Sequence, residues 1–283
     1  DNMRDFADEY RDFLKTHSYK PVTVSGHEFQ IIDSGSGSRT IVFLNGIDTQ
    51  QEWINYVSAL EKNYRVVMMK YPVNVYKNKE MIVLLHGLFD KLKISLPIIC
   101  GISDGGVLGQ LYAKNYKVGG LIMMTTLTVD SDYVAGMKKE QYILPLMKLY
   151  IKTVKFDKLR PALIKAVQKH FRNETDEEKA YAVSFFECIG DDESYRYSYL
   201  RAVMAIGDIY KLEKFKKSDF AYLDGKVLVL IPENDMFERS DSRKLVDIFT
   251  NPVVKETYGG HLGMLMRADL YIKEIEKFLS ENF

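Results

Sequence analysis

Short apolar runs recur along this sequence, and most are followed by a segment with helical periodicity. The runs are Thr40–Leu44, Arg65–Lys70, Leu96–Cys100, Val118–Met124, Lys226–Ile231 and Val253–Thr257. Continuous apolar runs of this length indicate strands that are buried on both faces of a sheet. Strands that alternate with helices form a mostly parallel sheet. The sequence therefore predicts the α/β class, with a mostly parallel twisted sheet and helices on both faces.

The segments between these runs have the apolar spacing of helices. Helices are predicted over Gln51–Leu60, Lys79–Leu92, Gly105–Asn115, 240–249 and Met264–Phe283. In the second of them Ile82, Leu85 and Phe89 share one face, as expected of a helix packed on a sheet. Before the alternation begins, two β-prone runs, Lys20–Val24 and His27–Asp33, flank Ser25-Gly26 and predict a hairpin.

The strand pattern is absent between Met124 and Lys226, where four helices are predicted instead. They are Tyr142–Tyr150, Pro161–Phe171, Thr175–Ile189 and Ser194–Ile209. We expect residues 127–222 to leave the sheet as a helical insertion, to form a cap above one of its edges, and to return. Residues 1–126 and 223–283 would then form the α/β core. The apolar and aromatic side chains of the insertion mostly suit packing, and together they permit an apolar pocket between cap and sheet.

The charge balance and the cysteine content exclude several classes of function. Lys plus Arg (39) equals Asp plus Glu (39), so the chain has no overall field that would favour nucleic acid. Its two cysteines cannot build a disulfide framework or a zinc site. No apolar run is long enough for a membrane span, and the charged start has no secretory apolar region. We expect a cytoplasmic monomer or homodimer without metal or organic cofactor, acting on a small molecule.

In proteins with a parallel sheet, ligands bind at the carboxyl ends of the strands, so functional residues are expected there. At one such end, Gly101-Ile102-Ser103-Asp104-Gly105 fits the pattern G-x-S-x-G between a predicted strand and a helix. This pattern suits a nucleophile on a sharp turn, since the turn requires residues without bulk two positions before and after the serine. The alternative is a glycine-rich turn with a serine that caps the helix. The position after a buried strand favours a catalytic Ser103.

A serine hydroxyl needs a base that removes its proton. Of the five histidines, four lie in helical or hairpin patterns, where partial exposure explains them. His261 differs, because it lies in Gly259-Gly260-His261-Leu262-Gly263 after the last predicted strand. It is the predicted base.

The imidazole in turn needs a carboxylate that orients it and stabilises its protonated form. Asp235 follows the strand Lys226–Ile231 and is the preferred candidate. Glu233 is a neighbouring competitor, and Asp130 is a second one. An oxyanion formed at Ser103 also needs donors. We expect these to be the backbone N–H groups of Asp104 and Ile47.

These residues resemble the α/β-hydrolase superfamily in their order, Ser103, Asp235, His261, and in the helical block before Lys226–Ile231. The resemblance covers nearly all of the chain from about Lys20 onward, and it implies the α/β-hydrolase fold with a helical cap, of the esterase or lipase type. Family members usually have His-Gly after the first core strand, followed by a tryptophan. Here Asn45-Gly46 and Trp53 stand there, and Tyr71-Pro72 replaces the usual acidic residue and glycine-rich loop after the next strand.

The expected activity is hydrolysis of a small to medium, partly apolar ester, thioester or amide through an acyl-enzyme on Ser103. Three other reactions use the same triad: acyl transfer, carbon–carbon bond hydrolysis and lyase chemistry. A non-catalytic ligand receptor with this fold is a further alternative.

Overall fold

The computed structural model describes residues 3–283, and its strands form one eight-stranded sheet. The strands are β1 (Lys20–Val24), β2 (His27–Ser34), β3 (Thr40–Leu44), β4 (Arg65–Lys70), β5 (Ile98–Ile102), β6 (Gly120–Met124), β7 (Val227–Pro232) and β8 (Val253–Thr257). Their order in the sheet is β1-β2-β4-β3-β5-β6-β7-β8. The β1–β2 hairpin is antiparallel and also pairs antiparallel with β4, whereas the other pairs are parallel. The predicted α/β class with a mostly parallel sheet is confirmed.

Helices connect these strands and fill the long interval between β6 and β7. They are α1 (Phe6–Leu14), α2 (Ile54–Leu60), α3 (Asn78–Lys91), α4 (Asp104–Asn115), α5 (Asp132–Met137), α6 (Leu144–Thr153), α7 (Phe156–Gln168), α8 (Asp176–Gly190), α9 (Tyr195–Asp208), α10 (Arg239–Asp247), α11 (Gly263–Met266) and α12 (Ala268–Asn282). Helices α5 to α9 belong to the stretch predicted as the helical insertion. Thr175 caps α8 through a reciprocal capping box with Glu178.

Several boundaries differ from the sequence-based expectation, among them those of β5, α7 and the C-terminal helix. Strand β5 starts at Ile98 and not at Leu96, because Leu96 has a positive φ of 48° and Pro97 has no N–H for the ladder. Helix α7 starts at Phe156, so Pro161 lies inside it and does not begin it. The predicted C-terminal helix is interrupted at Arg267, whose φ and ψ of −127° and 52° are not helical.

Two apolar layers cover the sheet, because successive strand residues point to opposite faces. Val42 and Leu44 of β3 belong to the layer that also contains residues of α3 and α4. Ile41 and Phe43 of the same strand belong to the opposite layer, which includes residues of α1, α2, α8 and α12. Helices therefore pack on both faces, as predicted.

The parallel register brings the ends of the central strands to one edge. Leu44 of β3 lies beside Gly101 of β5, Ile102 of β5 beside Met124 of β6, and Pro232 of β7 beside Thr257 of β8. Asn45 and Ser103 directly follow β3 and β5, and Asp235 lies three residues after the end of β7, so the candidate site lies at this edge. No helix within residues 3–283 is long and apolar enough to span a bilayer.

Candidate active site

Ser103 occupies a strained turn between β5 and α4. Its φ is 51° and its ψ is −123°, a conformation that non-glycine residues rarely adopt. A Cβ on Gly101 would lie 2.5 Å from the carbonyl oxygen of Gly105, and one on Gly105 would lie 2.4 Å from that of Leu44. Both positions therefore require glycine. The Ser103 side chain forms no capping hydrogen bond with the described residues, so the structure does not support a helix-capping role.

The structure brings His261 together with Asp235. His261 Nδ1 lies 2.9 Å from Asp235 Oδ1, and the backbone N–H of Met236 donates to the same oxygen at 2.7 Å. The Asp235 side chain is 5% exposed and the His261 side chain 15%, so water screens this pair only weakly. An Asp235 carboxylate that accepts from Nδ1–H leaves Nε2 free to take a proton.

The two competing carboxylates lie elsewhere. Glu233 accepts a 3.3 Å hydrogen bond from the backbone N–H of Gly259. Asp130 is half-exposed and pairs with Lys214 at 3.2 Å and with Lys244 at 3.8 Å. Of the three carboxylates proposed from the sequence, Asp235 is the one that contacts His261.

The helical insertion anchors the His261 loop. Glu174, which is buried, accepts from the backbone N–H of Gly260 at 3.3 Å. Glu178 accepts from the hydroxyl of Tyr258 at 2.7 Å. These contacts join the loop after β8 to the start of α8, a connection between residues far apart in the chain.

Ser103 and His261 line one cavity of about 280 Å³ between the sheet edge and the insertion. Most of its other lining side chains are apolar, among them Leu127, Leu163, Val167, Phe186, Ile206 and Met236. A small apolar cavity with a few polar groups is typical of a small-molecule site. The predicted pocket between insertion and sheet is therefore present.

Two rings flank His261 within this cavity. The Phe237 ring meets the imidazole edge-on with centroids 5.3 Å apart, and the His170 ring lies 5.9 Å away. Burial, followed by the proximity of His261, lowers the pKa of His170, so its neutral form is favoured. His170 follows α7, and its local sequence has no feature that separates it from an ordinary partly exposed histidine.

The loop after β3 is held in an uncommon backbone conformation. Ile47 and Asp48 have φ values of 41° and 55°, which are costly for residues other than glycine. The hydroxyl of Tyr195 donates to the carbonyl of Ile47 at 2.9 Å. Arg201 forms a bidentate pair with Asp48, with Nη2–Oδ1 at 2.8 Å, and both side chains are buried. Helix α9 thus fixes the loop that carries the predicted oxyanion donor Ile47.

Asp104 contributes a carboxyl group to the same place. The N–H of Ile47 donates to Asp104 Oδ1 at 2.9 Å. Burial raises the pKa of this carboxyl to about 7, and the negative charge of Asp48 acts in the same direction. The N–H groups of Ile47 and of Asp104 itself act as donors and oppose this rise. One of the two backbone groups predicted to hold an oxyanion, the N–H of Ile47, therefore donates to a carboxyl group, which the sequence-based prediction did not anticipate.

Asn45, where family members usually have histidine, has a structural role. Its Nδ2 donates to the carbonyl of Met69 at 2.7 Å, and its Oδ1 accepts from Trp53 Nε1 at 3.0 Å. The side chain is fully buried, so these bonds join β3, β4 and the start of the next helix. Asn45 does not line the cavity.

Within residues 3–283, no group of three or more His, Cys, Asp or Glu side chains is placed to hold a metal ion. No protein-family model matches the sequence, and no curated protein is significantly similar to it. Solved structures do match it over nearly its whole length.

The enol-lactonase from Burkholderia xenovorans LB400 has a TM-score of 0.70 at 19% identity, with 92% of this chain and 100% of that chain covered. A meta-cleavage product hydrolase from Pseudomonas fluorescens IP01 has a TM-score of 0.68 at 18% identity, covering 93% and 97%. A thermophilic esterase from Thermogutta terrifontis has a TM-score of 0.71 at 16% identity, covering 94% and 98%. The chain has the α/β-hydrolase fold. In this α/β-hydrolase fold, Ser103 follows β5, Asp235 follows β7 and His261 follows β8.

Proposed function

We propose that this protein is a serine hydrolase that cleaves a small to medium, partly apolar ester through an acyl-enzyme on Ser103. The observation that carries the proposal is the 2.9 Å contact between His261 Nδ1 and Asp235 Oδ1. His261 also lines the cavity that Ser103 lines. A strained nucleophile and a base that line one cavity, with a buried acid bonded to the base, are elements that acyl transfer to serine requires.

In the proposed reaction, Ser103 Oγ attacks the substrate carbonyl while His261 Nε2 takes the hydroxyl proton. Asp235 stabilises the imidazolium that forms. His261 then gives this proton to the leaving alcohol as the carbon–oxygen bond breaks, which leaves an acyl group on Ser103. Water attacks the acyl group next while His261 takes a proton from it. His261 then gives this proton to Ser103 Oγ as the bond between Oγ and the acyl carbon breaks, which releases the acid product and restores Ser103.

The negative charge that develops on the carbonyl oxygen would be bound by the N–H groups of Ile47 and Asp104. Because the Asp104 carboxyl accepts from the N–H of Ile47 in the free protein, it must release this N–H before the oxyanion can be bound there. A neutral carboxyl is a weaker acceptor than a carboxylate and adds no repulsion. We therefore propose that the protonated form of Asp104, which releases this N–H more readily, is the active one.

The size and lining of the cavity support the substrate class. At about 280 Å³ it lies at the lower end of ligand pockets, which favours a compact substrate with apolar groups. The structural neighbours include proteins named as an esterase and an enol-lactonase. An ester is therefore the preferred substrate, ahead of a thioester or an amide.

The proposal is tested with a panel of nitrophenyl esters of increasing acyl length. We expect turnover of short to medium chains, no measurable turnover by Ser103→Ala or His261→Ala, and a loss of about 10⁴-fold in kcat for Asp235→Asn. Asp130→Asn is the matched control and should keep full activity, because Asp130 pairs with surface lysines. If Asp130→Asn loses activity and Asp235→Asn keeps it, the assigned acid is wrong.

One observation favours a second candidate, a non-catalytic ligand receptor. A carboxyl group on the predicted oxyanion donors opposes negative charge there. A receptor would bind ligand in the cavity equally well with Ser103→Ala and would hydrolyse no ester. The transferase, lyase and carbon–carbon hydrolase alternatives use the same triad. They would be favoured if Ser103 forms covalent adducts but no ester of the panel is hydrolysed.

A further inference from the structure

Helix α6 in the helical insertion is apolar on two opposite sides. Leu144, Met147 and Ile151 form its inner side, and Ile151 is 3% exposed. Leu146, Leu149 and Tyr150 form an outer stripe that is 68%, 59% and 52% exposed. An amphipathic helix normally buries its apolar face against the protein, so a second, exposed apolar stripe indicates a further partner.

The residues just before α6 extend this stripe. Tyr142 is 79% exposed and Ile143 is 48% exposed. We define the outer patch as Tyr142, Ile143, Leu146, Leu149 and Tyr150. Contiguous exposed apolar patches on soluble proteins mark contact sites with other proteins or with membranes. The other exposed large apolar side chains in residues 3–283 are mostly scattered through the chain.

Basic residues flank the outer patch along the chain. Residues 138–155 contain five lysines and one acidic residue, Glu140, although the whole chain has equal numbers of basic and acidic residues. Lys138, Lys139, Lys152 and Lys155 are exposed. A partner that fits the patch therefore has an apolar region and negatively charged groups beside it.

We propose that the outer patch docks helix α6 onto an anionic lipid bilayer. The leucines and Ile143 would enter the boundary between headgroups and acyl chains, tyrosines prefer that boundary, and the lysines would pair with anionic headgroups. A second copy of this chain fits less well. A symmetric contact through the patch would bring the lysines of both copies together, which is repulsive.

The position of the patch also suggests a route into the site. Leu146 and Tyr150 line an apolar gap of about 370 Å³ between α6 and α7. Leu163, Ala166 and Tyr199 line both this gap and the cavity that contains Ser103. A docked helix α6 would place the gap next to the bilayer, so a lipid-derived ester could enter through it. This route rests on the proposed hydrolase function, whereas the docking does not.

Docking is tested by co-sedimentation of the full chain with two kinds of vesicle, phosphatidylcholine alone and phosphatidylcholine with phosphatidylserine. We expect the protein to bind the anionic vesicles and salt to weaken this binding. In Lys152→Gln/Lys155→Gln the affinity for the anionic vesicles should fall by about fivefold for each lysine that is removed. Tyr142→Glu/Leu149→Glu should abolish it. Leu149→Glu alone should weaken binding strongly. Val83→Glu is its matched control, since Val83 on α3 is as exposed as Leu149, and it should bind like the unaltered protein.

Far-UV circular dichroism of each variant establishes that it is folded. Equal binding to both kinds of vesicle, or no binding to either, would overturn the proposal. Concentration-dependent dimerisation that Tyr142→Glu/Leu149→Glu abolishes would assign the patch to a second copy instead. Sedimentation of Ser103→Ala separates docking from catalysis. If this variant binds vesicles although the unaltered protein hydrolyses no ester, the docking stands and the proposed function fails.

Discussion

The carboxyl group of Asp104 competes with the proposed oxyanion for the N–H group of Ile47. Its ionised form would hold the N–H of Ile47 by a charge-assisted hydrogen bond and would repel an oxyanion. The charged groups around it are Asp48 and Glu52 on the loop after β3 and Arg201 on α9. Burial and Asp48 raise the pKa to about 7, whereas Arg201 opposes the rise.

We therefore expect the activity to depend on the protonation of Asp104. Because the neutral form is the active one, kcat/KM should fall as the pH rises through about 7, by up to tenfold per pH unit above it. Asp104→Asn keeps an oxygen acceptor but cannot ionise, so this decrease should be absent in its pH profile. Steady-state ester hydrolysis between pH 5 and pH 9 measures both profiles.

Asp130→Asn is the control, because it removes a carboxylate that does not contact the oxyanion donors. Its pH profile of kcat/KM should match that of the unaltered protein. An identical alkaline decrease in Asp104→Asn would mean that another group causes it. Asp104 would then have no role in controlling the oxyanion site.

Helix α9 holds the loop after β3, which carries the predicted oxyanion donor Ile47. Arg201 is the partner of Asp48 in a buried pair, and it also donates to the carbonyl of Val75 at 3.0 Å. Removal of one partner leaves an uncompensated buried charge, which typically costs about 3–5 kcal/mol. The loop would also lose a contact that supports its positive φ values.

We expect Arg201→Met to lower the free energy of unfolding by about 3–5 kcal/mol and to lower kcat more than it raises KM. The double variant Asp48→Asn/Arg201→Met removes both charges and should be less destabilised than Arg201→Met alone. Urea unfolding and ester kinetics measure these effects. A double variant as unstable as the single one would show that the ion pair is not the source of the stability.

Local patterns predicted the strands, the elbow around Ser103 and the residues at the strand ends, because each depends on neighbours in the chain. The β3 and β8 bounds agree with the apolar runs. The Asp48–Arg201 pair joins residues more than a hundred positions apart, so periodicity holds no information about it. The same applies to His170 beside His261. The contact of the Asp104 carboxyl with Ile47 is likewise not predictable from local patterns, since Ile47 follows a different strand.

The helical insertion and the α/β core share one apolar layer. Phe185 and Tyr195 of the insertion belong to the same buried cluster as Phe6, Trp53 and Met264. Glu174 and Arg201 add polar contacts between the insertion and the loops of the core. An insertion joined to the core in this way should not unfold separately.

We expect urea unfolding of the whole chain to be a single transition. Trp53 is the only tryptophan and lies in the shared layer, so its fluorescence reports the core. Far-UV circular dichroism reports the helices, many of which belong to the insertion. The two signals should have the same midpoint. A circular dichroism transition that precedes the fluorescence transition would mean that the insertion unfolds as a unit of its own.

The most direct test of the proposed triad is the covalent labelling of Ser103 by a fluorophosphonate, measured by intact-protein mass spectrometry and peptide mapping. We expect one adduct per chain on Ser103, no adduct on Ser103→Ala, and much slower labelling of His261→Ala. Adduct formation that persists in Ser103→Ala, or the absence of any adduct on the unaltered protein, would contradict the assignment of Ser103 as the nucleophile.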